Sequence, residues 1–385
     1  MKLASMKRLD YFAGGALIAL ARPFVLLAAR LLRRDHDPRP RGAIVVVKLM
    51  GGGSLLLAGP ALLGIKRANP LASLSLLTTR RVAPFAQLLG VFDRIVELDD
   101  RSIGRLAASA ARGWRHLLGA DTVIDLEVYS RFSTVLALLT LARNRIGFYL
   151  EAAFWRRGLH THLLFFNRFS NVHGFYDQVA RLLGAAAETR EACERQLRRG
   201  LPAAPARESG RRRIAIGHAC SELGRERMLS PAQWLALLER HASLAGAEVH
   251  VLGGPADRPE AEALLATCAP QLPAAAWHDQ CGRLGLPEAV ALLASCDEFI
   301  GIDSALLHVA RLLGVPTTSF WGPTDPATRL QPFPGARDVA HYRKIACSPC
   351  IHVAEEPPCR GRNLCMSALI EPPREGEGPM WLIES

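Results

Sequence analysis

The sequence predicts an α/β fold built from two doubly wound units, and three observations carry that reading. Short β-branched apolar runs alternate with helical patterns along most of the 385 residues, as in a parallel sheet covered on both faces. The alternation breaks in a charged, proline-containing passage from Glu188 to Arg213 with little hydrophobic periodicity, then restarts. A chain of this length also exceeds one ordinary core and suits two domains. The expected organisation is a leader at 1–41, a first domain at 42–190, a linker at 191–213, a second domain at 214–345 and a cysteine-rich tail at 346–385.

In the first domain the run Ala43 to Met50 is short, β-branched and bounded by glycine, which predicts a buried strand. Gly51, Gly52 and Gly53 make a tight turn, and a helical pattern with Pro60 early in it covers Leu55 to Ala68. Strands follow at Ser73 to Thr78, Arg94 to Asp99 and Thr122 to Glu127, with helices over Val82 to Leu89 and Arg131 to Ala142 before the strand-like RIGFY. The second domain repeats the scheme. Strands at Arg213 to Ala219 and Glu248 to Gly254 alternate with helices at Pro231 to Ala245, Arg258 to Ala269 and Leu286 to Ser295.

The most informative stretch is FIGIDSALLHVARLLGVPTTSFWGPTDP, Phe299 to Pro326. A buried strand ends at Ile300, Asp303 and Ser304 are good N-cap residues, and Leu306, Leu307, Ala310 and Leu313 recur at helical spacing. Val315 to Trp321 reads as the next strand. A helix that starts at the carboxyl end of a parallel sheet presents free backbone N–H groups and the positive end of its dipole, which suit a diphosphate.

Composition narrows the function classes. A hydrophobic share of 49% with 22% charged residues describes a globular protein. The formal charge of +11 is uneven: residues 1–41 hold nine Lys or Arg against three Asp, leaving 38 basic and 33 acidic residues elsewhere. A nucleic-acid-binding body would carry its basic face on the fold itself, so nucleic acid is not an expected partner. A basic, apolar leader suits an anionic membrane surface. Within it the longest uncharged run, Tyr11 to Ala21, falls short of the roughly 20 residues that span a bilayer, so the expected form is an N-terminal apolar helix lying in the interface. An amphipathic helix packed on the body is the alternative.

With these pieces in order the sequence resembles glycosyltransferase family 9, the lipopolysaccharide heptosyltransferases, across residues 42–370. The stretches that carry the resemblance are VVKLMGGGSLLLAGPALLGIKRANP, VIDLEVYSRFS with RIGF, LGGPADRPE and, most specifically, GIDSALLHVARLLGVPTTSFWGPTDP. The resemblance implies a GT-B fold, two Rossmann-like domains facing a central cleft. It also implies inverting transfer of a sugar, heptose in the family, from a nucleotide-sugar donor such as ADP-heptose to a lipid-linked oligosaccharide acceptor. No metal cofactor is required for that catalysis. The protein would then work in the cytoplasm, peripheral on the inner face of the bacterial inner membrane.

The resemblance places Asp303, Ser304, Ala305, Leu306 and His308 at the donor diphosphate and sugar. Capping by Asp303 and core packing by His308 are the structural alternatives. In HACSELGRERMLSPAQW the family's hydroxyl and lysine positions fall on Ser221 and Arg227, with Arg225 as the rival cation. Arginine keeps the charge but changes the geometry. Asp257 or Glu260 in GGPADRPE falls where the family contacts the nucleoside ribose.

Two features depart from or add to the family pattern. The family's first turn carries an aspartate as general base, and here the aligned residue is Ser54, whose hydroxyl cannot take a proton at neutral pH as a carboxylate does. Another carboxylate, with Asp125 and Glu127 as candidates, acts instead; the acceptor differs; or the chain is a non-catalytic nucleotide-sugar-binding homologue. An oxidoreductase or epimerase would want a G-x-G-x-x-G turn, which Gly51 to Ser54 does not supply. The late cysteines Cys347, Cys350, Cys359 and Cys365 read C-x2-C-x8-C-x5-C, a spacing able to close a structural zinc site, with His352 as a substitute ligand; reduced thiols are the alternative.

Overall fold

A computed structural model describes residues 3–207, 210–222, 224–351, 353, 357, 359, 362–371 and 382–384. The chain divides into two compact units after Thr189. The first contains β1 (Ile44–Lys48), β2 (Leu74–Thr79), β3 (Arg94–Leu98), β4 (Thr122–Asp125), β5 (Asn144–Tyr149) and β6 (His162–Phe165). They form one sheet in the order β3-β2-β1-β4-β5-β6, and every neighbouring pair is parallel. β1, β2 and β4 are buried along their whole length, which is why they read as continuous apolar runs without alternation.

The second unit contains β7 (Arg213–Gly217), β8 (Glu248–Leu252), β9 (Ala276–Asp279), β10 (Glu298–Ile302), β11 (Thr317–Trp321), β12 (Arg337–Tyr342) and β13 (Leu382–Glu384). Their order is β13-β12-β11-β10-β7-β8-β9, parallel except for the β12 to β13 pair. Its core packs Trp234, Leu238, Leu264 and Phe320 against the buried β-branched residues of β7, β8 and β10. Both units are therefore Rossmann-like, as the sequence predicts. The expected linker is in part a helix, Arg190–Arg198, whose Ala192, Cys193 and Leu197 are buried.

The helical pattern after the glycine turn is two helices, Gly52–Leu57 and Gly59–Ala68, with Pro60 in the first turn of the second. Proline there lacks only an N–H that has no helical partner. Gly51 sits at φ +79°, and a Cβ on Gly52 would come within 2.2 Å of the Phe85 ring. The turn thus needs glycine for one backbone angle and one close contact.

The leader is helical from Leu3 to Leu32, with a π turn over Asp10–Gly14. That turn aims Asp10 at the start of the helix Arg131–Leu139, where its carboxylate accepts from Ser130 Oγ at 2.6 Å, Arg131 N at 2.9 Å and Phe132 N at 2.8 Å. The Arg131 guanidinium lies 4.2 Å from both the Tyr11 and the Trp155 ring centroids, and Ile18 is buried against Val135 and Trp155. Away from this seam Phe12, Leu20, Phe24, Leu27 and Leu31 are exposed. The helix Ser5–Leu32 is long and apolar enough to cross a membrane by length and composition, yet one side of it is docked on the first unit.

Candidate functional site

In an open α/β sheet, ligands bind beyond the carboxyl ends of the strands where the strand order reverses. In the second sheet that reversal lies between β7 and β10. The residues that leave those two strands are His218 to Ser221 on one side and Asp303 and Ser304 on the other. The helix Ala305–Leu312 begins there, and its first N–H groups have no intrahelical acceptor.

Asp303 is buried and heavily partnered. Its Oδ2 accepts from Arg227 Nη1 at 3.0 Å and from Thr324 Oγ1 at 2.8 Å, while His308 Nε2 lies 3.5 Å from Oδ1. Burial alone would raise this carboxyl, but Arg227 and then His308 outweigh it and hold it well below the usual carboxylate range. Burial pushes the His308 imidazole below its ordinary value, against the opposing pull of Asp303. The pair Arg227–Asp303 is thus a neutralised unit, which leaves the helix start free of a repelling charge.

The Ser304 side chain behaves differently. Ser304 does not cap its helix, and its Oγ is buried without a hydrogen-bond partner. His308 Nδ1, His218 Nδ1 and Glu260 Oε2 are likewise buried and unpartnered, and all follow β7, β8 or β10. Ala305 and Leu306 are half-buried, so the helix start remains accessible. Orphaned polar atoms around free N–H groups are what a diphosphate with a sugar and ribose would satisfy.

The other expected donor contacts lie at the same end of the sheet. Ser221 is exposed in the loop after β7. Asp257 accepts the Gly254 N–H at 2.8 Å, and Glu260 Oε1 accepts from Arg225 Nη2 at 2.6 Å. Arg227 is ion-paired at this end of the sheet. Its Nη1 serves Asp303 and its Nε donates to the Gly224 carbonyl at 3.1 Å. Thr324, within the GPTDP stretch, and His218, which the sequence does not single out, lie at this end of the sheet as well.

In the first sheet the order reverses between β1 and β4. Of the two candidate bases there, Asp125 is the less accessible. It is fully buried and held by Arg156 Nη2 at 2.9 Å and Ser133 Oγ at 2.9 Å, with His160 Nε2 at 3.4 Å. A carboxylate sealed in that network cannot reach an acceptor hydroxyl. The Glu127 side chain is 12% exposed and bridges the reversal point. Its Oε1 accepts from Lys48 Nζ at 3.0 Å, Leu49 N at 2.7 Å and Met50 N at 2.9 Å. Three donors converge on one oxygen. Ser54 Oγ donates to the Gly51 carbonyl at 2.8 Å, which makes it a turn residue.

The zinc expectation is not supported. Cys347, Cys350, Cys359 and Cys365 are free thiols, and among the described residues no three His, Cys, Asp or Glu side chains are grouped to hold a metal. His352 lies outside the described residues. The segment is fastened instead by Cys350 N and Ile351 N, each donating to the Pro323 carbonyl at 3.0 Å. Burial pushes the Cys365 thiol up to about 11, so it stays protonated at neutral pH.

Two Rossmann-like units in one chain are the components of the GT-B fold class. The profile of glycosyltransferase family 9 (heptosyltransferase) matches residues 111–358, and the chain belongs to that family. It is a glycosyltransferase. The matched region starts after the Gly51 to Ser54 turn. Among solved structures the chain is similar to a family 9 glycosyltransferase from Veillonella parvula DSM 2008, at 20% identity over 78% of this chain and 86% of that one, TM-score 0.60. It is also similar to E. coli ADP-heptose lps heptosyltransferase II, at 17% identity over 85% and 98%, TM-score 0.57. E. coli heptosyltransferase WaaC with ADP-2-deoxy-2-fluoro heptose matches at 15% identity over 85% and 97%, TM-score 0.57. These likenesses show the fold. No curated protein sequence matches the chain.

Proposed function

We propose that this glycosyltransferase transfers heptose from ADP-heptose, with inversion, to a lipopolysaccharide-core or related envelope acceptor. The observation that carries the donor side is the buried, unpartnered Ser304 Oγ at the start of the helix Ala305–Leu312. As the glycosidic bond breaks, charge grows on the departing ADP, and the helix N–H groups with the Ser304 hydroxyl meet it without a metal. On the acceptor side Glu127 is the carboxylate that suits a general base. It takes the proton of the acceptor hydroxyl as that oxygen attacks the anomeric carbon and ADP leaves from the opposite face.

A second reading, a homologue that binds nucleotide-sugar without transfer, is favoured by Ser54 standing where the family has its aspartate. A transfer assay with ADP-heptose and an acceptor panel separates the two. Sugar transfer supports an enzyme; calorimetric binding without turnover supports the homologue; neither binding nor turnover defeats both.

The exposed apolar side of the leader supports attachment to a membrane. Arg22, Pro23 and Arg30 interrupt it, and Asp10 ties it to the body, so an interfacial position fits better than a span. Lipid-linked acceptors and cytoplasmic nucleotide-sugars meet at the inner face of the bacterial inner membrane, which is the location we assign.

A further inference from the structure

Beside the leader, the body of the first unit exposes an apolar surface of its own. The helices Ile103–Trp114 and Arg131–Leu139 cover the same side of the first sheet: Leu106 and Ala110 of one and Phe132, Leu136 and Ala137 of the other pack with Val45, Val47 and Val123. The leader runs along the second of these helices. It starts with Asp10 at Arg131, continues with Ile18 and Val25 in one cluster with Val135 and Leu138, and ends at Arg34, whose Nη1 donates to the Leu141 carbonyl at 3.5 Å. At that far end Leu31 and Leu32 of the leader are exposed, and so are Trp114, Leu118, Leu139 and Leu141 of the body. Trp114 Nε1 donates to the Leu139 carbonyl at 2.5 Å, and the Leu118 N–H to the Trp114 carbonyl at 2.9 Å, so the four body residues form one patch. Leu141 stands at φ +56°, a backbone angle that favours glycine or asparagine, yet the position carries an exposed leucine.

The charge around this patch has one sign. Residues 11–34, 102–120 and 128–150 contain no Asp or Glu. Arg30, Arg33, Arg34, Arg112 and Arg115 are exposed, and none of them makes an ion pair among the described residues. Exposed leucines and an indole bordered by unpaired arginines suit the boundary of an anionic bilayer. The leucines enter the acyl edge, the indole sits at headgroup level and the guanidinium groups meet lipid phosphates. The apolar end of the leader adjoins the patch, so one lipid surface can cover both.

We propose that Trp114, Leu118, Leu139 and Leu141, with Arg112 and Arg115, form a second membrane contact that rests on an anionic bilayer beside the leader. The proposal rests on the reading of the leader as an interfacial helix: the leader supplies most of the affinity, and the body patch fixes how the first unit lies on the surface. The test uses the full-length protein and vesicles of phosphatidylcholine with and without phosphatidylglycerol. One set carries brominated acyl chains, which quench indole fluorescence on contact. Trp114→Phe separates Trp114 from the other tryptophans. Arg112→Glu with Arg115→Glu reverses the charge, its fold checked by circular dichroism; the pair Arg112→Gln with Arg115→Gln is the milder version.

Brominated lipid quenches the wild type more than Trp114→Phe. The charge-reversed variant binds phosphatidylglycerol vesicles at least about tenfold more weakly in sedimentation, since each arginine near an anionic surface is worth about fivefold. Equal quenching of wild type and Trp114→Phe in protein that does sediment, or unchanged affinity of the folded charge variants, overturns the proposal and leaves the leader reading standing. Absence of wild-type sedimentation defeats both. A lipid-free dimer in analytical ultracentrifugation that Leu141→Glu breaks apart would put a second copy of the chain on this face and likewise overturns the proposal.

Discussion

Arg227 Nη1 donates to both the carboxylate and the backbone carbonyl of Asp303, each at 3.0 Å, and so ties the loop after β7 to the loop after β10. Thr324 adds a third tie from the loop after β11. Three consecutive strand ends are locked together at the point where the strand order reverses. The helix start that follows Asp303 is held in place before any ligand arrives, and preorganisation of this kind favours binding of a transition-state charge.

Asp303→Asn removes the charge that Arg227 answers and leaves that guanidinium buried. Breaking one side of a buried pair costs about 3–5 kcal/mol, to be read from urea denaturation. The carboxyl is held below its ordinary value, so its stabilisation is complete above the unfolded-state value of about 3.9 and is lost as pH falls below it. Wild-type melting temperature should drop on going from pH 7 to pH 3 more steeply than that of the variant.

Ser304→Ala should behave in the opposite way. The hydroxyl has no partner to lose, so stability stays within about 1 kcal/mol of wild type or rises. Affinity for ADP falls about tenfold, as expected for one lost hydrogen bond to a charged group. Calorimetry and thermal melts on the same preparation check both halves.

Glu127→Gln keeps an oxygen for the Leu49 and Met50 N–H groups but cannot take a proton. The rate of transfer should fall by about 10²- to 10⁴-fold while ADP affinity is unchanged. Equal loss of binding and rate would mean that the variant has disturbed the loop between β1 and the glycine turn.

Asp10→Ala should loosen the leader. It strips acceptors from Ser130, Arg131 and Phe132, at a cost of about 1 kcal/mol by analogy with other helix caps. Removal of residues 1–35 should release the protein from anionic vesicles in a sedimentation assay; retention would contradict an interfacial leader.

The central strands were legible because burial on both faces leaves continuous apolar runs, as in IVVVK and FIGI. The edge strands β6 and β9 were not: their residues are mostly half-buried, so neither a run nor an alternation emerges. In the site, Asp303, Ser304 and His308 could be read from a helix start between two strands. The choice between Asp125 and Glu127 could not, because both leave the same strand and only the fold shows Arg156 and Ser133 closing over one of them. Arg227 was legible as a cation near the site, but its partner Asp303 lies 76 positions away. The spacing of the four late cysteines was equally visible, and spacing alone does not bring thiols together.

A crystal structure with an ADP-sugar bound tests the central claim most directly. The account predicts the diphosphate at the N–H groups of Ala305 and Leu306, with an oxygen within hydrogen-bond distance of Ser304 Oγ. A diphosphate bound elsewhere, with Ser304 Oγ left unpartnered, would contradict it.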